Sequence, residues 1–513
     1  MPPLTRRGIL TGLAAAPGLS TQPRGNFVVG PAKTIRKRAP STIIPLAPRP
    51  QLFIDDYLIL RQENLVRTTH SPRRQPGLVV GHELGVWQPF MTVFRDEERG
   101  IWRMWYDAYA KRPGLAEGNY IAYLESADGV KWRAPNLNLL GNSNLLLPVL
   151  RGYGVTVIDD GPGFRDPARR FKLGWWGRPH SDSDDDTGLH VAFSPDGLRW
   201  TPYDGNPALR DYHEENDPRK ALGVGDIVDA FHDPLSGHYG LFVKTFAVPT
   251  DGWLPGPKAG SNFRRLVSYT TSVDFVNWKT PWRVVVPEDR DEGTLEFYAV
   301  GGTIARGGLL IGCPRMLRDD LPADAAGPIE GIGYSTLVTS RDGEYWERHD
   351  GVFLNRSLDP NDFDHAFAWV GCQVIVGDEV YLYYGGYKQG HKVNRYTERQ
   401  IGLAKLRRDG YVSRDAFGPE PGWLMTPLLR CDRNRQLVVN AEAARGEIRV
   451  QARDRWRKVI PGFAFEDCAP LRGEGLAQPV AWSGRSELGS LATAPFHLEF
   501  RILNASLYGF EQR

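Results

Sequence analysis

Apolar and aromatic residues come in short runs divided by Gly, Pro, Asp and Asn, the pattern of strands and tight turns. One set of runs reads Tyr120-Ile121-Ala122-Tyr123-Leu124, Leu189-His190-Val191-Ala192-Phe193, Leu266-Val267-Ser268-Tyr269, Gly333-Tyr334-Ser335-Thr336-Leu337-Val338 and Ile401-Gly402-Leu403-Ala404. A recurrent phrase follows them: Ser126-Ala127-Asp128-Gly129-Val130-Lys131-Trp132, Ser194-Pro195-Asp196-Gly197-Leu198-Arg199-Trp200, Ser272-Val273-Asp274-Phe275-Val276-Asn277-Trp278 and Ser340-Arg341-Asp342-Gly343-Glu344-Tyr345-Trp346. A weaker copy is Arg408-Asp409-Gly410-Tyr411. Upstream of each run lies an aromatic-rich strand such as Trp102-Arg103-Met104-Trp105-Tyr106 or Val380-Tyr381-Leu382-Tyr383-Tyr384, and a first strand precedes that one.

The marker Asp residues at 128, 196, 274, 342 and 409 are spaced 68, 78, 68 and 67 apart, the signature of a repeat architecture. Four antiparallel strands per unit, five times over, predict an all-β fold with a five-bladed β-propeller. In the phrase, Asp caps the turn between strands three and four, Gly supplies a permissive backbone and Trp packs between blades. It marks blades; it does not carry chemistry. After Tyr411 the repeat stops, and alternating strands such as Glu447-Ile448-Arg449-Val450-Gln451 suggest a β-sandwich over 414–513.

The beginning of the chain has another texture. Thr5-Arg6-Arg7-Gly8-Ile9-Leu10 followed by Leu13-Ala14-Ala15-Ala16 predicts a twin-arginine-type export signal over residues 1–25, hence an exported protein. Residues 26–50, with Lys33, Arg36, Lys37 and Arg38 among prolines, read as a flexible linker before a propeller over 51–413. A formal charge of +2 gives no reason to expect nucleic acid as a partner, and no later run reaches the length of a membrane span. Four cysteines are too few for a disulfide scaffold, though an exported chain could join Cys431 with Cys468.

Connectivity assigns loops to faces. In a meander, the turns from strand one to two and from three to four share one face, and here they are short. The links from two to three, at 107–119, 177–188, 248–264, 315–331 and 386–400, are long and lie on the other. Long loops on a rigid scaffold are where binding is built. On that face the starts of the innermost strands offer Glu83 and Trp87, Asp226, Glu296, and Asp362, Asp364 and His365, while the loops add His391, Arg395 and Arg399. Carboxylates converging from different blades can supply an acid and a base, because crowding and burial push their pKa values apart. Such a pair is the equipment for breaking a glycosidic bond. We therefore expect Asp226, Glu296 and Asp364 to be catalytic, with Glu83, Trp87, His365, His391 and Arg399 binding a carbohydrate substrate. No cofactor is required; the run Asp182-Ser183-Asp184-Asp185-Asp186 could hold a structural Ca²⁺.

Ser272-Val273-Asp274-Phe275-Val276-Asn277-Trp278-Lys279-Thr280-Pro281 resembles a phrase common in the five-bladed glycoside hydrolases of families 32 and 43. Gln51-Leu52-Phe53-Ile54-Asp55-Asp56-Tyr57-Leu58-Ile59 and Tyr383-Tyr384-Gly385-Gly386 resemble exported family-32-like bacterial proteins. The resemblance runs over 51–513 and implies a glycosidase with a propeller and a sandwich. The family's Arg-Asp-Pro has a look-alike in Arg165-Asp166-Pro167, but that triplet occupies the strand-one-to-two turn on the opposite face, so Asp166 takes no role. The family's Asn-Asp-Pro-Asn and Glu-Cys motifs are missing. Two other readings follow: a carbohydrate-binding propeller without chemistry, and a sialidase-like enzyme, suggested by the Asp-Gly-Trp turns and requiring three arginines on one carboxylate.

Overall fold

The computed structural model describes residues 43–180, 186–210, 224–247, 264–395, 398–432, 435–484 and 487–513. The export signal of residues 1–25 and most of the linker fall outside them. Among the described residues the chain is strand, turn and a few single turns of 3-10 helix, with no α-helix.

Five meanders follow one another. The first contains Val86–Asp96, Ile101–Ala110, Gly118–Ser126 and Trp132–Arg133; the second Tyr153–Asp159, Phe171–Gly177, Gly188–Ser194 and Thr201–Pro202. The third contains Val228–Asp233, His238–Ala247, Arg264–Ser272 and Trp282–Val285; the fourth Glu296–Arg306, Leu309–Arg318, Ile332–Ser335 with Val338–Ser340, and Glu347–Arg348. The last has Phe367–Val376, Glu379–Tyr387 and Gln400–Arg407. The first strands of these units pack against one another around an axis, and the last lies against the first, so the ring closes.

The outer strand of the last blade comes from an unexpected place. Arg73–Arg74 pairs antiparallel with Ala404 and Lys405, so chain upstream of the first blade completes the last one. Val412–Ala416, which follows the weak fifth phrase, pairs with Ala505–Gln512 and Val66–Thr69. The domain boundary expected at residue 51 shifts accordingly. Ile44–Pro45, Gln51–Leu52, Arg61–Glu63 and Val66–Thr69 all belong to the C-terminal sheet of eleven strands. Its long strand Leu437–Asp454 pairs with Leu471–Pro479, Phe496–Leu503 and Ala505–Gln512, curling the sheet around a core of Phe53, Leu437, Val450, Trp482, Phe500 and Phe510. Cys431 and Cys468 are both free thiols, so the disulfide between them is not formed.

The phrase turns share one geometry. Asp128 Oδ1 accepts from Val130 N and Lys131 N, each at 2.8 Å, and Ser126 Oγ accepts from Gly129 N at 2.9 Å. The turns at Asp196, Asp274 and Asp342 repeat these bonds. The residue after Asp is left-handed throughout, with φ of 73° at Gly129 and 68° at Phe275, a conformation costly for a residue with a Cβ. The turn carbonyls tie neighbouring blades: Trp105 Nε1 donates to Gly197 O at 2.7 Å, and Tyr383 Oη donates to Gly129 O at 2.6 Å, joining last blade to first. The Trp of the phrase also closes its own turn, Trp132 Nε1 donating to Gly129 O. Asp166 caps the 3-10 turn Pro167–Arg169 between the first two strands of its blade, which agrees with its reading as turn chemistry.

Candidate active site

The channel is divided by one side chain. Arg315, from the second strand of the fourth blade, is buried and pairs with Asp229 of the third blade at 3.1 and 3.3 Å. It also donates to Val370 O of the fifth at 3.0 Å and lies over the Phe90 ring of the first. On the short-turn side of Arg315 is a cavity of about 380 Å³ lined by the later halves of all five inner strands, including Thr92, Thr156, Asp229, Thr303 and Gln373. The predicted acids stand on the other side, where the long loops are.

There Glu296 opens the inner strand of the fourth blade with its carboxyl sealed from solvent. Arg265, at the start of the third blade's third strand, donates to it from Nη1 at 2.8 Å and from the backbone N at 2.9 Å. The same Nη1 lies 3.4 Å from Asp319, a second sealed carboxylate that closes the fourth blade's second strand. His391 Nδ1 is 2.9 and 3.0 Å from the two Asp319 oxygens. Burial pushes His391 down to about 3, so the ring is neutral and, facing an acceptor, carries its proton on Nδ1. Burial likewise pushes Glu296 up, against the pull of Arg265 and Lys244.

Lys244 links this cluster to the open side. It is buried, pairs with Asp226 and sits 4.8 Å from the Tyr298 ring centroid. Gly225 lies close beside it, where a Cβ would come within 2.7 Å of Lys244 Cε and displace that side chain. Asp226 keeps 29% of its side chain exposed, so it is the solvent-facing carboxylate of the set. Tyr298 stacks on Trp369 at 4.8 Å and meets His391 edge-on at 5.2 Å, a rigid aromatic wall behind the charges. Trp87 stands on the first-blade side, 5.7 Å from Tyr109 and stacked on Tyr153 at 6.1 Å, with Arg395 over its ring. Arg399 is buried, donating to Gln88 Oε1 at 3.4 Å and His391 O at 2.7 Å.

The structure thus brings Asp226, Glu296, Trp87, His391 and Arg399 to one end of the channel. It sends three predicted residues elsewhere. Asp364 is paired with Arg74 at 2.7 Å, which fastens the outer strand of the last blade. His365 is held by Asp324 at 3.0 Å and Ser357 O at 3.2 Å, an internal brace. Glu83 lies exposed on the 3-10 turn His82–Leu84, its carboxyl folded over Gly81. The residues that sequence reasoning missed are Arg265, Asp319, Lys244 and Asp107. Asp107 is buried, accepts from Asn119 at 3.1 Å and Gly154 N at 3.2 Å, and is pushed well up by burial. All four sit where second strands end or third strands begin, whereas carboxylates were sought only at the starts of first strands.

Among the described residues no group of three His, Cys, Asp or Glu side chains is placed to hold a metal ion. The acidic run expected to bind Ca²⁺ falls outside them except for Asp186, which pairs with His180.

No family model matches the chain, and no curated protein does. Solved glycoside hydrolases do resemble it at low identity. One is a glycoside hydrolase family 43 arabinoxylan arabinofuranohydrolase from Bacillus subtilis, 13% identical over 86% of this chain and 99% of that one, TM-score 0.40. A family 32 β-fructofuranosidase from Bombyx mori is 13% identical over 87% and 93%, TM-score 0.41. An N-acetylgalactosamine deacetylase from F. plautii is 15% identical over 67% and 96%, TM-score 0.37. At these scores the chemistry has to come from the residues of this chain.

Proposed function

We propose that the chain is an exported glycoside hydrolase, with Glu296 as general acid and Asp226 as base or nucleophile. The observation that carries this reading is the contrast between the two carboxyls. Asp226 is open to solvent beside Lys244, whereas Glu296 is enclosed and held toward its protonated form. Environments that push two acids apart in this way assign one to give a proton and the other to remain charged. In the reaction, Glu296 protonates the leaving oxygen of the glycosidic bond. Asp226 activates water, or attacks the anomeric carbon itself, and Lys244 is its ion-pair partner. His391 and Asp319 hold Arg265 in place against Glu296. Export rests on Thr5-Arg6-Arg7 and the small apolar run behind it.

One observation favours a propeller that binds sugar without cutting it. Glu296 and Asp319 are both engaged by Arg265, and the first blade presents the amide Gln88 at the channel end. The sialidase-like reading is less well supported. Among the described residues Arg265 and Arg315 are committed to acids, and of the arginines around His391 this leaves Arg395 and Arg399, where three are needed.

Reducing-sugar release from fructans, arabinans, xylans and other oligosaccharides, measured for wild type, Glu296→Gln and Asp226→Asn, separates these readings. The hydrolase reading expects turnover by wild type and a loss of about 10³-fold or more in both variants. Turnover that survives both substitutions keeps the enzyme and discards the site. Saturable glycan binding with no turnover leaves the binding propeller.

A further inference from the structure

We infer that the sugar taken by this site carries a carboxylate, held by Arg399 and Tyr387; this rests on the carbohydrate reading above and narrows it to acidic glycosides.

Tyr387 ends the second strand of the last blade, and Arg399 directly precedes the third, so the two lie next to the last backbone pair of these strands, Gly386 with Gln400. The guanidinium lies 3.9 Å over the ring. Arg399 is 1% exposed and Tyr387 0%. Arg399 spends its two terminal nitrogens on Gln88 Oε1 and His391 O, yet among the described residues its Nε has no acceptor, and neither has Tyr387 Oη. A buried donor without an acceptor costs about 1–3 kcal/mol, and native interiors leave few of them. Two adjacent ones mark a place where something outside the chain is meant to accept.

Charge says what kind of group that is. Three guanidiniums, Arg399, Arg315 and Arg395, act on the Tyr387 hydroxyl, opposed by the one carboxyl of Glu398. Arg315 is neutralised by Asp229. Among the described residues neither Arg395 nor Arg399 has a carboxylate within ion-pair distance. The nearby acids do not make up the difference: Asp107 is tied to Asn119 and Gly154, and burial pushes both Asp107 and Glu398 toward their neutral forms. A sugar hydroxyl would accept a hydrogen bond here but leave the surplus positive charge unanswered. A carboxylate answers both, because its two oxygens take the Nε–H and the Oη–H together and guanidinium favours such planar acceptors. Glu398 Oε1, a buried acceptor without a donor on the same loop, would then take a ring hydroxyl of the same sugar.

The test pairs binding with turnover. Affinities for glucuronate and galacturonate against glucose and galactose are measured by calorimetry, and cleavage is followed on aryl uronides beside the matching neutral aryl glycosides. Wild type, Tyr387→Phe and Arg399→Met are compared, with thermal melting to check folding. We expect wild type to prefer a uronate at least 30-fold over its neutral partner. Tyr387→Phe, which keeps the ring packing, lowers that ratio about tenfold, and Arg399→Met brings it near one. Equal affinity of wild type for acidic and neutral sugars, or no uronate binding, overturns the inference. Neutral glycosides cleaved without uronate preference sink the acidic subsite and leave the hydrolase standing. Uronate binding lost in the variants, with no glycoside of either kind cleaved, keeps the subsite and sinks the hydrolase.

Discussion

The two ends of the propeller channel are built on opposite principles. At the short-turn end, Asp128, Asp196, Asp274 and Asp342 satisfy the backbone within three residues of themselves, and four turns look alike. At the long-loop end the groups follow no repeated phrase, and the bonds reach across the sequence: Arg265 to Glu296 and Asp319, His391 to Asp319, Arg399 to Gln88. One end is locally closed and electrically settled. The other has two sealed carboxylates on one guanidinium and, among the described residues, no carboxylate within ion-pair distance of Arg395 or Arg399. Repetition marks what the fold needs from every blade, and departure from it marks where the chain does something the fold alone does not require.

Removing Arg265 breaks this contrast most severely. Arg265→Met leaves Glu296 and Asp319 enclosed without the cation they share, where losing one member of a buried ion pair costs about 3–5 kcal/mol. Chemical denaturation should show that loss, and pairing the change with Asp319→Asn should recover part of it. A loss under 1 kcal/mol would mean that the cluster is already neutral and carries no special charge.

Glu398 gives the next largest effect and a pH sign. Burial pushes it up to about 7 from an ordinary value of 4.5, against the backbone N–H of Gln389 and Lys388 and the charges of Arg399 and Lys388. A raised folded-state value means the folded chain holds a proton that the unfolded chain has released. Stability is therefore full below the ordinary value and falls as pH rises toward 7. Glu398→Gln removes this dependence. We expect it to be more stable than wild type at pH 8, by up to about 3 kcal/mol, and indistinguishable at pH 4. A pH-independent difference in melting would assign the effect to packing and not to charge.

Legibility followed the same division. The blades were readable because a period and a turn are local properties: Asp, a left-handed residue and Trp sit within five positions and need no knowledge of the rest of the chain. Phe275 was read correctly as a stand-in for Gly, and the structure shows it in the same backbone state. The site was half readable. Asp226 and Glu296 were found because first-strand starts line a propeller axis, whereas Asp319 and Arg265 gain their meaning only from each other, 54 residues apart. Asp364 and His365 were read from the same kind of position, and their partners Arg74 and Asp324 could not be read with them. The origin of the last blade's outer strand was invisible for the same reason: Arg73–Arg74 carries no mark of the partner it finds some 330 residues later.

Arg74 tests whether every arginine–carboxylate pair at the long-loop end behaves alike. It binds Asp364 one-to-one, is about one-third exposed, and also reaches Asn355 O. Solvent screens such a pair, so Arg74→Met should cost about 1–2 kcal/mol, clearly less than Arg265→Met. It should leave the pH dependence set by Glu398 unchanged. An equal cost at both arginines would erase the distinction between fastening and function.

The smallest effect belongs to the settled end. Asp128 holds Val130 N and Lys131 N, and those amides keep its carboxyl below the ordinary value. Asp128→Ala removes an acceptor comparable to a helix cap and should cost about 1 kcal/mol, while Asp128→Asn keeps an acceptor oxygen and should recover most of it. A depressed value gives stability that is present above the ordinary aspartate range and lost as pH falls through the lower folded one. The wild-type advantage over Asp128→Ala should therefore persist at neutral pH and shrink only in strong acid. Asp128→Asn, which does not titrate, should change less between those conditions. Because the turn satisfies itself, substrate affinity and turnover should match wild type in both variants. A change in either would show that the two ends are coupled through Gly129 O and Tyr383, the link that closes the ring.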